Sequence, residues 1–244
     1  MTSFFRRIRR KLANDNQLLK YSKYAIGEIF LVVIGILIAL TINNWNGERK
    51  SNIKKRNYVQ KLISDLKKDT IALNSFISWV HQENIKMQQL SDLIDSPDTV
   101  FTLDSIINIT TRINFLNSGL SAFNDETYQT LIATGDIGLI SESQVEQLMI
   151  LNKLHVGHIQ MSESNSEFIL GSLKDYLDDF GYLGNPKKNS VYYKTLKRNF
   201  DEYEFLKKLR NYMGYKIFIY DLMSSSARDV LEQTTETLSL IKES

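Results

Sequence analysis

The stretch YAIGEIFLVVIGILIALTINNWNGERK, from Tyr24 to Lys50, constrains this chain more than any other part of it. Ala25 to Ile42 is eighteen residues with one charge, Glu28, and Ile29 to Leu40 has no polar side chain. At about 1.5 Å of rise per residue, a helix of that length spans roughly 27 Å, close to the hydrocarbon thickness of a bilayer. Tyr21 and Tyr24 stand at one end of the run, with Asn43, Asn44 and Trp45 at the other, as an interfacial belt does. A buried core helix rarely combines this length with basic flanks. A cleavable signal peptide has a shorter apolar run and a small-residue cleavage site, for which ALT at Ala39–Thr41 is a poor version. The expectation is an uncleaved transmembrane helix over residues 24–45.

Charge divides the rest. Residues 1–24 carry seven basic side chains against Asp15, and residues 43–68 carry eight against Glu48 and Asp65. Residues 69–244 hold fifteen basic against twenty-four acidic groups, a net of −9. Basic flanks suit anionic lipid headgroups, so the lipid bilayer is the first expected partner. An acidic bulk argues against nucleic acid. Zero cysteines excludes disulfides and thiolate metal sites.

The basic counts on the two sides of the span nearly tie, so orientation rests on size. Exporting a short tail containing RRIRRK is unfavourable, whereas long domains translocate largely regardless of charge. The reading is a cytoplasmic basic tail over residues 1–23 and an extracytoplasmic domain over 46–244. Within the tail, SFFRRIRRKL puts Phe4, Phe5, Ile8 and Leu12 on one helical face, which suits an interfacial helix; a disordered tail is the alternative.

Glu28 needs a reason to be in hydrocarbon. Counted from Ile34 by helical rise it lies roughly 9 Å from the midplane, where a carboxylate is costly unless paired, protonated or facing protein. Gly35 follows seven residues later on the same face, and Ala39 four after that, a small-xxx-small pair. Glu28, Gly35 and Ala39 therefore read as a membrane contact face. Snorkelling toward the inner headgroups, beside Lys20 or Lys23, is the plainer alternative.

Beyond Trp45 nothing alternates at period two for long. Every seventh residue from Val59 is apolar: Val59, Leu66, Leu73, Val80, Met87 and Ile94. The positions between are Leu62, Asp69, Phe76, Glu83 and Leu90, a helical stripe that is slightly impure. DSPDT at Asp95–Thr99 ends it. A short helix is expected near Leu103–Ile113. A second has Asn124 as N-cap and Gly135 as its stop. SESQ, Ser141–Gln144, has capping-box spacing and opens a helix to Phe180. GYLGNPKKNS reads as loop, and a last long helix starts near Asp201. Two prolines in 244 residues agree with this. The predicted fold is all-α: one N-terminal transmembrane helix continuing into an antiparallel bundle of long amphipathic helices.

Chemistry is sparse. His155 and His158 form HxxH, and Glu163 could join them as a third metal ligand, but His155 falls on the helix's own apolar stripe and packs well half-buried. SNIK at Ser51–Lys54 and SDLK at Ser64–Lys67 match SxxK without a partner motif. Asp178 and Asp179 read as a solvated helix end. There is no phosphate loop and no nucleophile elbow, so neither catalytic residues nor a cofactor are expected.

With FFRRIRRKL before it, the Tyr24–Lys50 segment resembles the N-terminus of an uncharacterised family of bacterial single-pass membrane proteins known only as a domain of unknown function. TYQTLIATGDIGLI, Thr127–Ile140, resembles a mid-chain segment of that family. The resemblance implies an anchor and a helical outer domain, and it implies no activity. Three functions fit: a non-enzymatic module that assembles with itself or another membrane protein, an extracytoplasmic ligand-sensing bundle acting through a partner, and, least, an envelope hydrolase. A pocket with convergent polar groups would favour sensing, and a dry core scaffolding.

Overall fold

The structure, a computed structural model, describes residues 17–96, 100–114, 119–120, 122–180 and 187–243. The arginine-rich segment before Gln17 therefore lies outside the described residues, as do the side chains of Tyr21 and Tyr24. Every regular element among the described residues is helical, as the periodicity predicts. In chain order these are α1 (Gln17–Asp95), α2 (Leu103–Thr111), α3 (Glu126–Ala133), a 3-10 turn (Asp136–Leu139), α4 (Glu142–Phe180), α5 (Val191–Asn199) and α6 (Glu202–Lys242). The chain divides into two compact units, Met1–Arg56 and Asn57–Ser244.

The first unit holds the apolar part of α1. Its most apolar eighteen-residue window is long and apolar enough to cross a membrane, and none of that window is buried. Its large side chains, such as Phe30, Leu31 and Leu37, face outward. The Thr41 hydroxyl donates to the Leu37 carbonyl at 2.8 Å, which satisfies it within the helix.

The second unit is a bundle of α4, α6 and the later part of α1. Both positions of the heptad stripe point inward. Leu66, Leu73, Val80 and Met87 are buried, and so are Leu62, Phe76 and Leu90. The two impurities, Asp69 and Glu83, are buried with them. Contacts set the directions. Arg210 donates to Asp95 at 2.6 Å and Asn84 to Asp221 at 2.7 Å, so α1 descends as α6 rises. His158 pairs with Ser226, and Phe168 stacks edge-on against Tyr215, so α4 and α6 are also antiparallel. Phe76 of α1 meets His158 of α4, and the Leu62–Leu66 level of α1 meets Leu148 and Leu151. Hence α1 and α4 run in the same direction, which the intervening α2 and α3 permit by carrying the chain back.

Caps form as their residue types dictate. Thr102 and Ser105 make a reciprocal box at α2. Ser141 and Gln144 do so at α4, with bonds of 3.3 and 3.4 Å. Gly135 takes φ 72° after α3, the left-handed stop that favours glycine. Two details differ from expectation. Asp125, not Asn124, precedes α3, because Asn124 turns back to Asp69. A further helix, α5, follows the 181–190 segment; Ser190 caps it through the Tyr193 amide at 3.1 Å, and Tyr193 donates to Asp104 of α2 at 2.9 Å. Tyr193 is its one buried residue, so it carries no apolar stripe for periodicity to announce.

Candidate functional site

On the apolar stretch of α1, Glu28, Gly35 and Ala39 lie along one face by helical spacing, and all three are exposed. A methyl group added at Gly35 would meet nothing within 4 Å. Trp45 is exposed too. Among the described residues Glu28 makes no ion pair, so this face carries a carboxylate and two small residues that no part of the described chain covers.

The histidines do different work from the metal reading. His155 and His158 are buried, whereas Glu163, on the same helix, is exposed. No group of three His, Asp or Glu able to hold a metal occurs among the described residues. The His155 ring stacks on Phe123 at 3.9 Å and 6°, and His158 packs edge-on against Phe76 and Phe123. His158 Nδ1 lies 2.9 Å from the Ser226 hydroxyl. Burial lowers both basicities, that of His155 to about 4, because the charged ring would lose its water. Neutral imidazoles here form a platform for the crossover chain. Gly119 lies on the same path. A Cβ there would stand 2.8 Å from Ser162 Cβ and 2.9 Å from Met223 Cε, so the backbone passes where a side chain does not fit.

A polar seam ties α1 to the segment after Phe123. Asp69 Oδ1 accepts from the Asn124 amide at 2.9 Å and from its side chain at 2.7 Å. Burial pushes the Asp69 carboxyl up, and the Asn124 bonds offset this only in part. One turn earlier, Asp65 accepts from the Thr127 hydroxyl. At Tyr58 the phenol donates to Asp136 at 2.8 Å. The Thr127–Ile140 segment, singled out by its sequence, is thus the strand of chain that α1 grips.

Beside the seam lies a cleft of about 330 Å³. Tyr58, Lys61, Ser64, Asp65 and Lys68 of α1 form one wall, and Glu126, Thr127 and Thr130 of α3 form the other. Of the SDLK residues, Ser64 lines this cleft and Lys67 does not.

Sequence reading missed one group, Lys216. It is fully buried on α6, with its ammonium 4.8 Å from the Tyr220 ring centroid. Burial lowers it to about 8 against the attraction of Glu83, which is itself buried and paired with Lys86. The signal was available: Lys216 interrupts the apolar spacing Leu209, Met213, Tyr220, Met223.

Compared with known proteins, a family model described as "Family of unknown function (DUF6090)" matches residues 28–159, more than half of the 244-residue chain. The match takes in the exposed apolar face, the seam, the cleft and both histidines, and stops before α5 and α6. No curated protein and no solved structure matches the chain.

Proposed function

Because the chain belongs to this family of unknown function, which brings no activity with it, we propose a reading from its physical chemistry: a membrane-anchored, non-enzymatic helical module of the bacterial envelope. It assembles with itself or with another membrane protein through Glu28, Gly35 and Ala39. One observation carries this. The apolar window of α1 is wholly uncovered, yet it includes a carboxylate that has no ion-pair partner among the described residues, on the face that carries Gly35 and Ala39. Lipid tails suit the apolar side chains but leave a carboxylate unsolvated. A second helix, brought close by the small residues, supplies a hydrogen-bond partner. In this reading α1 is an uncleaved signal-anchor in the inner membrane. The arginine-rich stretch before it faces the cytoplasm, and the bundle lies outside.

The test is purification of the full chain in mild detergent, wild type beside Glu28→Gln and Glu28→Leu, with complex mass measured and co-purifying proteins identified. The expected outcome is an oligomer or a stoichiometric partner that Glu28→Leu loses and Glu28→Gln, a mimic of the protonated acid, keeps. Three identical monomers would sink the reading.

The cleft favours a second reading. Its polar groups converge from two helices within the bundle unit, as a ligand-sensing site requires, with the signal passed on through a partner.

A further inference from the structure

The cleft carries Lys61 and Lys68 from α1, beside Asp65 of the same helix, and Glu126 from α3. Lys61, Ser64 and Lys68 are spaced i, i+3, i+7, so they share one face of α1. Glu126 and Thr130 are spaced i, i+4 on α3, opposite. No ion pair closes the gap. Lys61 and Glu126 have no charged partner among the described residues, and Lys68 reaches only Asp65 of its own helix, at 3.5 Å. The Lys61 ammonium on one wall and the Glu126 carboxylate on the other are therefore the two charges of the cleft that no described group neutralises.

The hydroxyls add a second selection. Three have already given their protons to the protein: Tyr58 to Asp136, Thr127 to Asp65, and Thr130 to the Glu126 carbonyl. What they offer to the cleft is lone pairs, which suit a donor. Ser64, by contrast, makes no hydrogen bond among the described residues, so its hydroxyl can donate, beside the two lysines.

We propose that this cleft binds a small zwitterion of the amino-acid class, its carboxylate held by Lys61, Ser64 and Lys68 and its ammonium by Glu126 and the threonine hydroxyls. A simple anion would leave Glu126 uncompensated and a simple cation would leave Lys61 uncompensated, whereas Asp65 and Lys68 already pair with each other. A molecule carrying both charges satisfies both walls. A space of about 330 Å³ is adequate for a free amino acid. The proposal rests on the sensing reading and names its ligand class. Lys61, Ser64, Lys68, Glu126 and Thr130 are exposed on the surface of the fold, so substituting Lys61 or Glu126 leaves the core intact, whereas Thr127 is buried.

The experiment is calorimetric titration of the full chain in detergent with the protein amino acids one at a time. Each binder is then compared with its N-acetyl derivative, its carboxamide, and acetate. At least one amino acid is expected to bind, with both derivatives and acetate about tenfold weaker or more, since each lacks one charge-assisted contact. Lys61→Ala and Glu126→Gln are each expected to weaken binding by a similar factor, and added salt to weaken it further. Failure of every amino acid to bind overturns the proposal. So does equal binding of the derivatives or of acetate, or wild-type affinity in both variants. The two readings fail separately: binding that alters no partner or oligomer removes sensing and keeps the ligand class, while absence of binding removes the ligand class alone.

Discussion

At the scale of single residues, the buried titratable groups that α1 and α4 set against Phe123 and Asn124 pull stability in opposite directions with pH. His155 is depressed from 6.5 to about 4, so its neutral form contributes fully above about pH 6.5, and that contribution is lost as pH falls toward 4. The loss between pH 7 and pH 5 is about 2 kcal/mol. His155→Phe keeps a ring against Phe123 and removes the titration. Denaturant unfolding at the two pH values is expected to show a correspondingly flatter dependence, with the remainder due to His158. Asp69 has the opposite sign. Its carboxyl is raised above 3.8, so its charge costs stability at neutral pH and that cost fades as pH falls through the raised value. Asp69→Asn keeps an acceptor for Asn124 and gives up the buried charge, so it should be neutral or stabilising at pH 7. Asp69→Ala abandons both Asn124 donors and should cost about 1–3 kcal/mol. If the alanine variant proves as stable as the asparagine one, the seam does not hold the segment.

At the scale of elements, the crossover between α1 and α4 is where sequence and contacts meet least directly. Gly119 passes against Ser162 and Met223, and Phe123 covers both histidines four residues later. Gly119→Ala should cost about 1–3 kcal/mol by overpacking. Adding Ser162→Gly should recover part of it, because the nearest side chain is then gone; equal melting temperatures of single and double variants would disprove the close approach. The helices themselves were legible. The heptad from Val59, the SESQ box and the Gly135 stop each rest on residues within a turn or two of one another, and local chemistry decides them. Asn124 leaves the cap position for a physical reason: Asp69, a buried carboxylate fifty-five positions away, offers it two charge-assisted bonds. Nothing near Asn124 announces that acceptor.

At the scale of the whole molecule, the two units carry different kinds of surface. Residues from Asn57 onward bury their own core, including Leu73, Met87, Leu131, Phe205, Leu209 and Tyr220. The first unit exposes its apolar side chains. A fragment Asn57–Ser244 is therefore expected to be helical and to unfold cooperatively without detergent, by circular dichroism against denaturant, whereas the full chain should need detergent or lipid to stay dispersed. A fragment that melts without cooperativity would show that the bundle depends on the span. The family match covers 28–159 only, yet α6 supplies much of this core, so the matched region alone is not expected to fold.

The amino-acid order by itself determined the apolar stretch, its lone Glu28, the three long stripes and most helix ends. Each of these is a pattern repeated at the helical period or written within one turn, and burial of one face enforces it. It also placed His155 on an apolar stripe, which is where it packs. Only the tertiary structure decided that α1 and α4 run the same way, that Asp69 and Glu83 go inside with their stripe, and that Lys61 and Glu126 face each other across a cleft. Those outcomes depend on groups tens of residues apart meeting at distances of a few ångströms. No local periodicity encodes which side chain a buried carboxylate will find.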